Sequence, residues 1–155
     1  MKKLMSVLVF LSSFLLQAQA AGNGTTLVPT IEVSKAFEKD FPKVKPIWRK
    51  EFNGEDKDQL SYEADFVLAG SNMTAVYNAL GTFKVLQVEI QPADLPVEIR
   101  NYMARNYPKN NIRKAAKLIT NDNKITYEIG ITINGKWVDA IFNKEGDFLM
   151  MVPKS

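Results

Sequence analysis

The chain has 155 residues and a formal charge of +3 at pH 7, and it contains neither cysteine nor histidine. These two absences exclude disulfide scaffolds, Cys/His zinc sites and nucleophiles activated by histidine. Hydrophobic residues make up 46% and charged residues 24% of the chain, a composition typical of a folded globular protein and not of a disordered one.

The first twenty residues have the pattern of a secretory signal peptide. Two lysines precede an apolar stretch from Leu4 to Leu16, and Ala18 and Ala20 supply the small residues that a signal peptidase needs. The stretch is shorter than the about 20 apolar residues that span a bilayer core, so we expect cleavage near Ala20 and no membrane anchor afterwards. We therefore predict a periplasmic or secreted protein, with residues 21–27 as a flexible leader.

Cleavage would also remove two lysines and no acid, which leaves a formal charge of +1. A protein this close to neutrality has no strong field to collect nucleic acid, so we predict no nucleic-acid partner. One local basic cluster remains, which we interpret as a solvated surface. Its members are Lys109, Arg113, Lys114 and Lys117.

An internal repeat is the strongest signal in the sequence. Residues 62–83 align without a gap on residues 127–148, and seven of the 22 positions are identical. Phe41-Pro42 and Tyr107-Pro108 extend the match upstream. We therefore predict two α/β repeats, residues 28–92 and 93–155, fused into one domain.

Each repeat is predicted to begin with an amphipathic helix. Val33, Phe37 and Phe41 fall on one stripe of a 3.6-residue period, and Ile99, Met103 and Tyr107 repeat that stripe. Prolines 42 and 108 are expected to end the two helices. The predicted N-caps are Thr30 and Asp94.

Four strands are predicted to follow each helix. The segment from Tyr127 to Ile133 alternates with period two, and Asn134-Gly135 after it is a preferred pair for a type I′ hairpin. Ala69-Gly70 holds the equivalent position in the first repeat. The remaining predicted strands are 47–52, 62–68, 71–77, 83–90, 112–119, 136–142 and one near Phe148.

The predicted fold class is α+β: one antiparallel sheet of about eight strands with two helices on one face. A two-residue hairpin loop pairs Ile131 with Val138 and Ile129 with Ala140, so this apolar face should receive the helices. The opposite face, which we call the open face, then carries acids and apolar residues around Trp137. The predicted protein-binding residues on it are Trp48, Glu63, Asp65, Val76, Glu128, Trp137, Asp139 and Ile141, although Trp48 has an alternative place in the core.

The sequence resembles the PepSY-like periplasmic proteins of the Bacteroidetes over about residues 28–150. The resemblance rests on the signal peptide and on Phe41-Pro42/Tyr107-Pro108, Trp48, Tyr62-Glu63/Tyr127-Glu128 and Gly81-x-Phe83/Gly146-x-Phe148. It implies the fold of the β-lactamase-inhibitor protein (BLIP), a tandem α/β repeat with one curved sheet, and a peptidase-inhibiting role by analogy. It implies no catalytic residues.

The leading functional prediction is a non-enzymatic module that binds a protein or peptide through the open face, without a cofactor. One alternative is a sensor of calcium or a small ligand, acting through Asp56-Lys57-Asp58 and Asn121-Asp122-Asn123, although neither loop has the pattern of an EF-hand. Another is a hydrolase that uses Glu63 and Asp65 as a carboxylate pair, which would need a cleft to shift one pKa.

Overall fold

The computed structural model describes residues 27–53 and 59–153. The predicted signal peptide, most of the predicted leader and the Asp56–Asp58 loop lie outside these residues. The described chain forms ten main elements, with the following bounds: α1 (Ile31–Asp40), β1 (Ile47–Asn53), β2 (Gln59–Leu68), β3 (Ser71–Asn78), β4 (Phe83–Glu89), α2 (Val97–Asn106), β5 (Lys114–Thr120), β6 (Ile125–Ile133), β7 (Lys136–Asn143) and β8 (Phe148–Pro153).

The eight strands form one antiparallel sheet in which β1 to β8 lie side by side in chain order. This arrangement confirms the predicted fold class. The two repeats meet where β4 pairs with β5, in a ladder that extends from the pair Val85–Thr120 to the pair Glu89–Ala116. The sheet therefore continues through the junction without a break.

Both helices pack on the face that the hairpin register predicted. Val33 and Phe37 of α1 lie in one hydrophobic cluster with β2 and β3, and Ile99 and Met103 of α2 lie in another with β6 and β7. Burying one such aromatic or aliphatic side chain stabilises the fold by about 1.5–3 kcal/mol. The predicted cross-strand pairs on this face are confirmed: Tyr127–Phe142, Ile129–Ala140, Ile131–Val138, Tyr62–Tyr77, Ala64–Ala75 and Phe66–Met73.

The two helices begin in different ways. Thr30 caps α1 as predicted, because its hydroxyl oxygen accepts a hydrogen bond of 3.3 Å from the backbone N–H of Val33. The predicted cap of α2 is wrong. Asp94 belongs to a separate 3₁₀ turn, Pro92–Asp94, and the N-cap of α2 is Pro96, which offers no side-chain hydrogen bond. The physical reason is that a residue before proline favours extended backbone, and Leu95 adopts it (φ −63°, ψ 146°), which separates Asp94 from the helix.

Neither described helix is long and apolar enough to cross a bilayer.

Candidate functional site

The open face lies across the sheet from both described α-helices. Its members follow from the strand register, since side chains that pair across neighbouring strands share a face. Seven of the eight predicted site residues lie on this face: Glu63, Asp65, Val76, Glu128, Trp137, Asp139 and Ile141. The face also carries Arg49, Thr74, Gln87 and Lys114.

Trp48 is the exception, and its assignment to the open face is wrong. It pairs with Ala64, which is a helix-face residue, and its ring lies 5.4 Å from that of Phe37 at an interplanar angle of 72°. The edge-to-face contact places Trp48 against the core cluster of α1. The sequence left this residue open because the connection between β1 and β2 is longer than a two-residue hairpin loop, so its length does not set the register.

In the first repeat, Arg49 holds two carboxylates of β2 at once. Its Nε donates a hydrogen bond of 2.6 Å to Asp65 Oδ2, and its Nη2 lies 3.0 Å from Asp65 Oδ1 and 2.8 Å from Glu63 Oε2. Thr74 donates a further bond of 2.7 Å to Asp65 Oδ1. Such bidentate, charge-assisted contacts fix the position of the guanidinium group. Burial lowers the pKa of Arg49, but Asp65 and Glu63 together raise it above its ordinary value.

Glu63 differs from Asp65 because it is almost fully buried, with 1% of its surface exposed. Loss of solvation raises the pKa of Glu63 to about 8, the neighbouring carboxylates of Glu51 and Asp65 act in the same direction, and only the charge of Arg49 opposes them. Glu63 therefore holds a proton more tightly in the folded chain than a solvated glutamate would.

In the second repeat, the indole of Trp137 lies over Gly130. A Cβ atom added to Gly130 would stand 2.7 Å from Trp137 Cζ2, so only glycine leaves room for the ring in this orientation. The indole N–H donates a hydrogen bond of 3.1 Å to Asp139 Oδ1, which fixes the same edge of the ring. Trp137 remains 38% exposed. The open face thus carries a pre-positioned, partly solvated aromatic ring.

The acids of the two repeats occupy matching places. Glu63 and Glu128 are equivalent in the repeat, and Lys114 Nζ lies 3.9 Å from Glu128 Oε1 as Arg49 lies beside Glu63. The pair Asp65–Thr74 of the first repeat corresponds to Gly130–Asp139 of the second. In both repeats the matching glutamate thus has an aspartate and a cation beside it, but the aspartates come from opposite strands of the hairpin.

Burial separates the predicted site residues into two groups. Trp137 and Asp65 keep accessible surface, whereas the others form the floor beneath them. A buried side chain supports a surface without contacting a partner, so direct contact through the floor residues stays a prediction. The floor residues and their exposed fractions are Glu63 1%, Asp139 1%, Val76 3%, Glu128 4% and Ile141 8%.

Sequence reasoning missed the residues that hold this floor together. Arg49 was not singled out, Lys114 was interpreted as part of a solvated basic surface, and Gly130 was placed on the open face without a role, although the register puts it opposite Asp139. Val67 was placed on the open face but not among the predicted binding residues, and Ile47 was not placed; they are 64% and 74% exposed. Their signal was period-two alternation, which identifies a face but not how much of each side chain solvent reaches.

The acids of the described residues are not grouped as metal ligands. In residues 27–53 and 59–153, acidic side chains form no group of three that could hold a metal ion. The Asn121–Asn123 loop is the turn between β5 and β6, where the Thr120 hydroxyl donates to the carboxylate of Asp122 and also contacts the backbone of Lys124. Asp122 is thus engaged in closing its own turn.

Comparisons with solved structures identify the architecture. A BLIP-like protein from Bacteroides fragilis NCTC 9343 superposes with a TM-score of 0.63 at 19% identity, over 82% of this chain and 87% of that one. The chain has a BLIP-like fold. No family model matches this sequence, and no curated protein matches it in a sequence search.

Two further Bacteroides proteins share this BLIP-like fold. One, described as a periplasmic protein of Bacteroides eggerthii DSM 20697, has a TM-score of 0.70 at 15% identity and covers 81% of this chain and 89% of its own. A DUF2874 family protein of Bacteroides uniformis ATCC 8492 has a TM-score of 0.70 at 13% identity, with coverage of 81% and 90%. Identities this low show the fold alone.

Proposed function

We propose that this chain is an exported, non-enzymatic binding module that recognises a protein or peptide through the open face. The observation that carries the proposal is the geometry of Trp137. One edge of its ring rests on Gly130 and bonds to Asp139, yet the residue is 38% exposed. A large aromatic side chain that is already ordered loses little conformational entropy on binding, and such residues are typical centres of protein interfaces.

The charge of the open face supports a partner with basic side chains. Among the described residues of this face, two cations, Arg49 and Lys114, stand against five carboxylates, because Glu63, with its pKa of about 8, holds its proton at pH 7. The five are Glu51, Asp65, Glu89, Glu128 and Asp139. The rest of the chain must therefore carry a net positive charge, because the whole sequence is at +3. An acidic face of this kind favours approach of a cationic surface and sets its orientation.

Export is supported by the signal-peptide pattern and by the fold neighbour that is described as periplasmic. The BLIP-like neighbour supports protein recognition as the use of the fold, and inhibition of a peptidase is the form that the PepSY-like resemblance adds. Both extensions rest on analogy of fold and sequence pattern, so they belong to the proposal.

Quantitative pull-down from periplasmic extract, with mass spectrometry, tests the proposal. Trp137→Ala removes the exposed ring, and we expect it to reduce capture of specific partners at least tenfold. Trp48→Phe is the matched control, because it changes the other tryptophan of the chain on the helix face. If Trp137→Ala, shown to be folded by its thermal melt, recovers the same proteins at the same yield, the open face is not the binding surface.

A further inference from the structure

Two clefts occur at equivalent positions of the repeats, each between the end of a helix and the segment that leads to the next strand. The α1 cleft has a volume of about 340 Å³ and the α2 cleft about 620 Å³. Six lining positions correspond in the two repeats: Ser34/Arg100, Phe37/Met103, Glu38/Ala104, Val44/Asn110, Lys45/Asn111 and Pro46/Ile112. The first repeat therefore serves as an internal reference for the second.

The α2 cleft is larger, and its lining has no counterpart of the tryptophan that lines the α1 cleft. Trp48 lines the α1 cleft and pairs across the strands with Ala64. The equivalent strand position in the second repeat is Ala115, which pairs with Ile129 and is buried. Ala115 does not line the α2 cleft, whereas Trp48 occupies part of the α1 cleft wall. A volume of 620 Å³ lies in the range of small-molecule sites.

The charged side chains that line the two clefts differ in position, although each lining has a net charge of +1: Glu38, Lys43 and Lys45 line the α1 cleft, and Arg100 lines the α2 cleft. Arg100 stands where the α1 cleft has Ser34, and Ala104 stands where it has the acid Glu38. The Nε of Arg100 donates a hydrogen bond of 3.1 Å to the carbonyl oxygen of Leu95, which holds the guanidinium group at the cleft. Among the described residues that line the α2 cleft, Arg100 is the one with a charged side chain.

Residues next to the lining add to this positive charge. Lys109 and Arg113 are exposed and follow the lining residues Pro108 and Ile112 directly in the chain, while Asp94 is the acid that follows Ala93. These two cations belong to the basic cluster that the sequence showed and that the open face does not use. The α2 cleft therefore combines an apolar wall with a net positive rim.

We propose that the α2 cleft binds a small amphipathic organic anion, with its carboxylate on Arg100 and its apolar body against Met103, Tyr107 and Ile112. A guanidinium group can pair with a carboxylate through two parallel hydrogen bonds, and the apolar wall supplies the remaining contact area. This site lies on the helix side of the sheet, so it does not depend on the function proposed for the open face.

Titration with octanoate, followed by the backbone amide NMR signals, tests the proposal. We expect saturable shifts at residues 92–112 and none at the equivalent residues of the α1 cleft. Acetate supplies the charge without the apolar body, and octanol supplies the body without the charge; each should bind at least tenfold more weakly than octanoate. Equal binding of octanol, equal shifts at both clefts or no shifts at all would overturn the proposal.

The first repeat supplies the test variants. Arg100→Ser and Ala104→Glu each introduce the residue that the α1 cleft already has at that position. Both positions are exposed on α2, so the fold should tolerate either change. We expect each variant to weaken octanoate binding about tenfold or more and to leave octanol binding unchanged. Unaltered octanoate affinity in Arg100→Ser, with an unaltered thermal melt, would contradict the assigned role of the guanidinium.

Discussion

Gly130 and Trp137 show how a single missing side chain can create a surface. Pairing across β6 and β7 brings Gly130 opposite Asp139, next to the indole that bonds to this acid. The first repeat has Asp65 at the position of Gly130 and Asn72 at that of Trp137, so it offers an amide where the second repeat offers a ring. The exchange of an acid for glycine therefore accompanies the exchange of an amide for an aromatic side chain.

Gly130→Ala should displace this ring. The new Cβ would meet Trp137 Cζ2 at 2.7 Å, and we expect the crowding to lower the free energy of unfolding by about 1–3 kcal/mol. Urea unfolding measures the loss, and tryptophan fluorescence reports the altered surroundings of the indole. In a Trp137→Ala background, Gly130→Ala should change the free energy of unfolding little. A loss of stability that persists in that background would show that the ring is not its cause.

Glu63 should make stability depend on pH in an unusual direction for a carboxylate. Its pKa is about 8 in the folded chain against an ordinary value of 4.5, so the folded state binds the proton more tightly. The stability that this provides is complete below pH 4.5 and is lost as the pH rises through 8. The free energy of unfolding should fall by up to about 1.4 kcal/mol per pH unit across this window.

Urea unfolding at several pH values between the two pKa values of Glu63 measures that slope. No histidine titrates in this pH window, because the chain contains none. Glu63→Gln keeps the shape of the protonated side chain and should flatten the slope, whereas Glu38→Gln on the exposed side of α1 should leave it unchanged. An identical slope in the wild type and Glu63→Gln would show that Glu63 titrates in the same way in both states.

At the scale of elements, the hairpins and strand ends repeat one plan with different residues. Both two-residue hairpin loops place two residues at positive φ: Asn134 and Gly135 at 50° and 76°, and Ala69 and Gly70 at 51° and 81°. Asparagine tolerates this backbone region far better than alanine does. The first hairpin therefore stores strain that the second avoids.

Ala69→Asn should release that strain, since it gives the first hairpin the residue of the second. We expect the free energy of unfolding to rise by about 0.5–1 kcal/mol. Differential scanning calorimetry checks this as a higher midpoint, and Asn134→Ala should lower the midpoint by a similar amount. If Ala69→Asn raises the midpoint but Asn134→Ala does not lower it, backbone strain is the wrong explanation.

The loop between β3 and β4 presses against the start of α1. A Cβ on Gly81 would stand 2.7 Å from the carbonyl oxygen of Glu32, whereas a Cβ on Gly70 would meet nothing within 4 Å. The two glycines have nearly the same φ, 78° and 81°, so Gly70→Ala is a matched control for backbone strain alone. In urea unfolding, Gly81→Ala should lower the free energy of unfolding by about 1–2 kcal/mol more than Gly70→Ala does. Equal losses in the two variants would exclude the close approach to Glu32 as a cause.

At the scale of the whole molecule, the sheet and its helix face could be predicted because the repeat and the Asn134-Gly135 loop are visible in the sequence alone. Once that loop pairs Ile133 with Lys136, every later pair in the hairpin follows, and the helix face follows from the pairs. Burial on the open face could not be predicted in this way. It depends on the long side chains of Arg49 and Lys114, whose contacts arise only when β1 and β5 pair with β2 and β6.

Two register shifts escaped prediction for a similar reason. Phe83 pairs with Tyr77 and Val85 with Val76, so Lys84 is an extra residue in β4, and Leu149 is its counterpart in β8. A bulge of this kind changes the face of every residue beyond it. The alternation of residues along one strand does not show where the neighbouring strand has one residue fewer. The last strand of each repeat, β4 or β8, was therefore predicted only approximately.

The continuous sheet predicts that the two repeats unfold together. Each repeat has its own hydrophobic cluster, but the β4–β5 ladder and the buried residues beside it, including Val85 and Ala116, belong to both. Loss of one repeat would expose the edge and the buried side chains of the other, so partial unfolding is costly. One cooperative transition is expected.

Each repeat contains one tryptophan, which makes this testable. In Trp137→Phe the fluorescence reports Trp48 in the first repeat, and in Trp48→Phe it reports Trp137 in the second. Each variant carries a second probe, the far-ultraviolet circular dichroism of the whole sheet. Within each variant the two signals should give the same urea midpoint. Different midpoints would show that one repeat stays folded at urea concentrations that unfold the other.

The β4–β5 junction also means that the sheet can be lengthened. The outer edge of β4 accepts β5, and β8 holds the same position in its repeat as β4 holds in the first. A third unit with the sequence of residues 90–153, joined after Ser155, would bring its first strand to β8 as β5 comes to β4. The architecture is thus modular, and the number of units is a variable open to protein engineering.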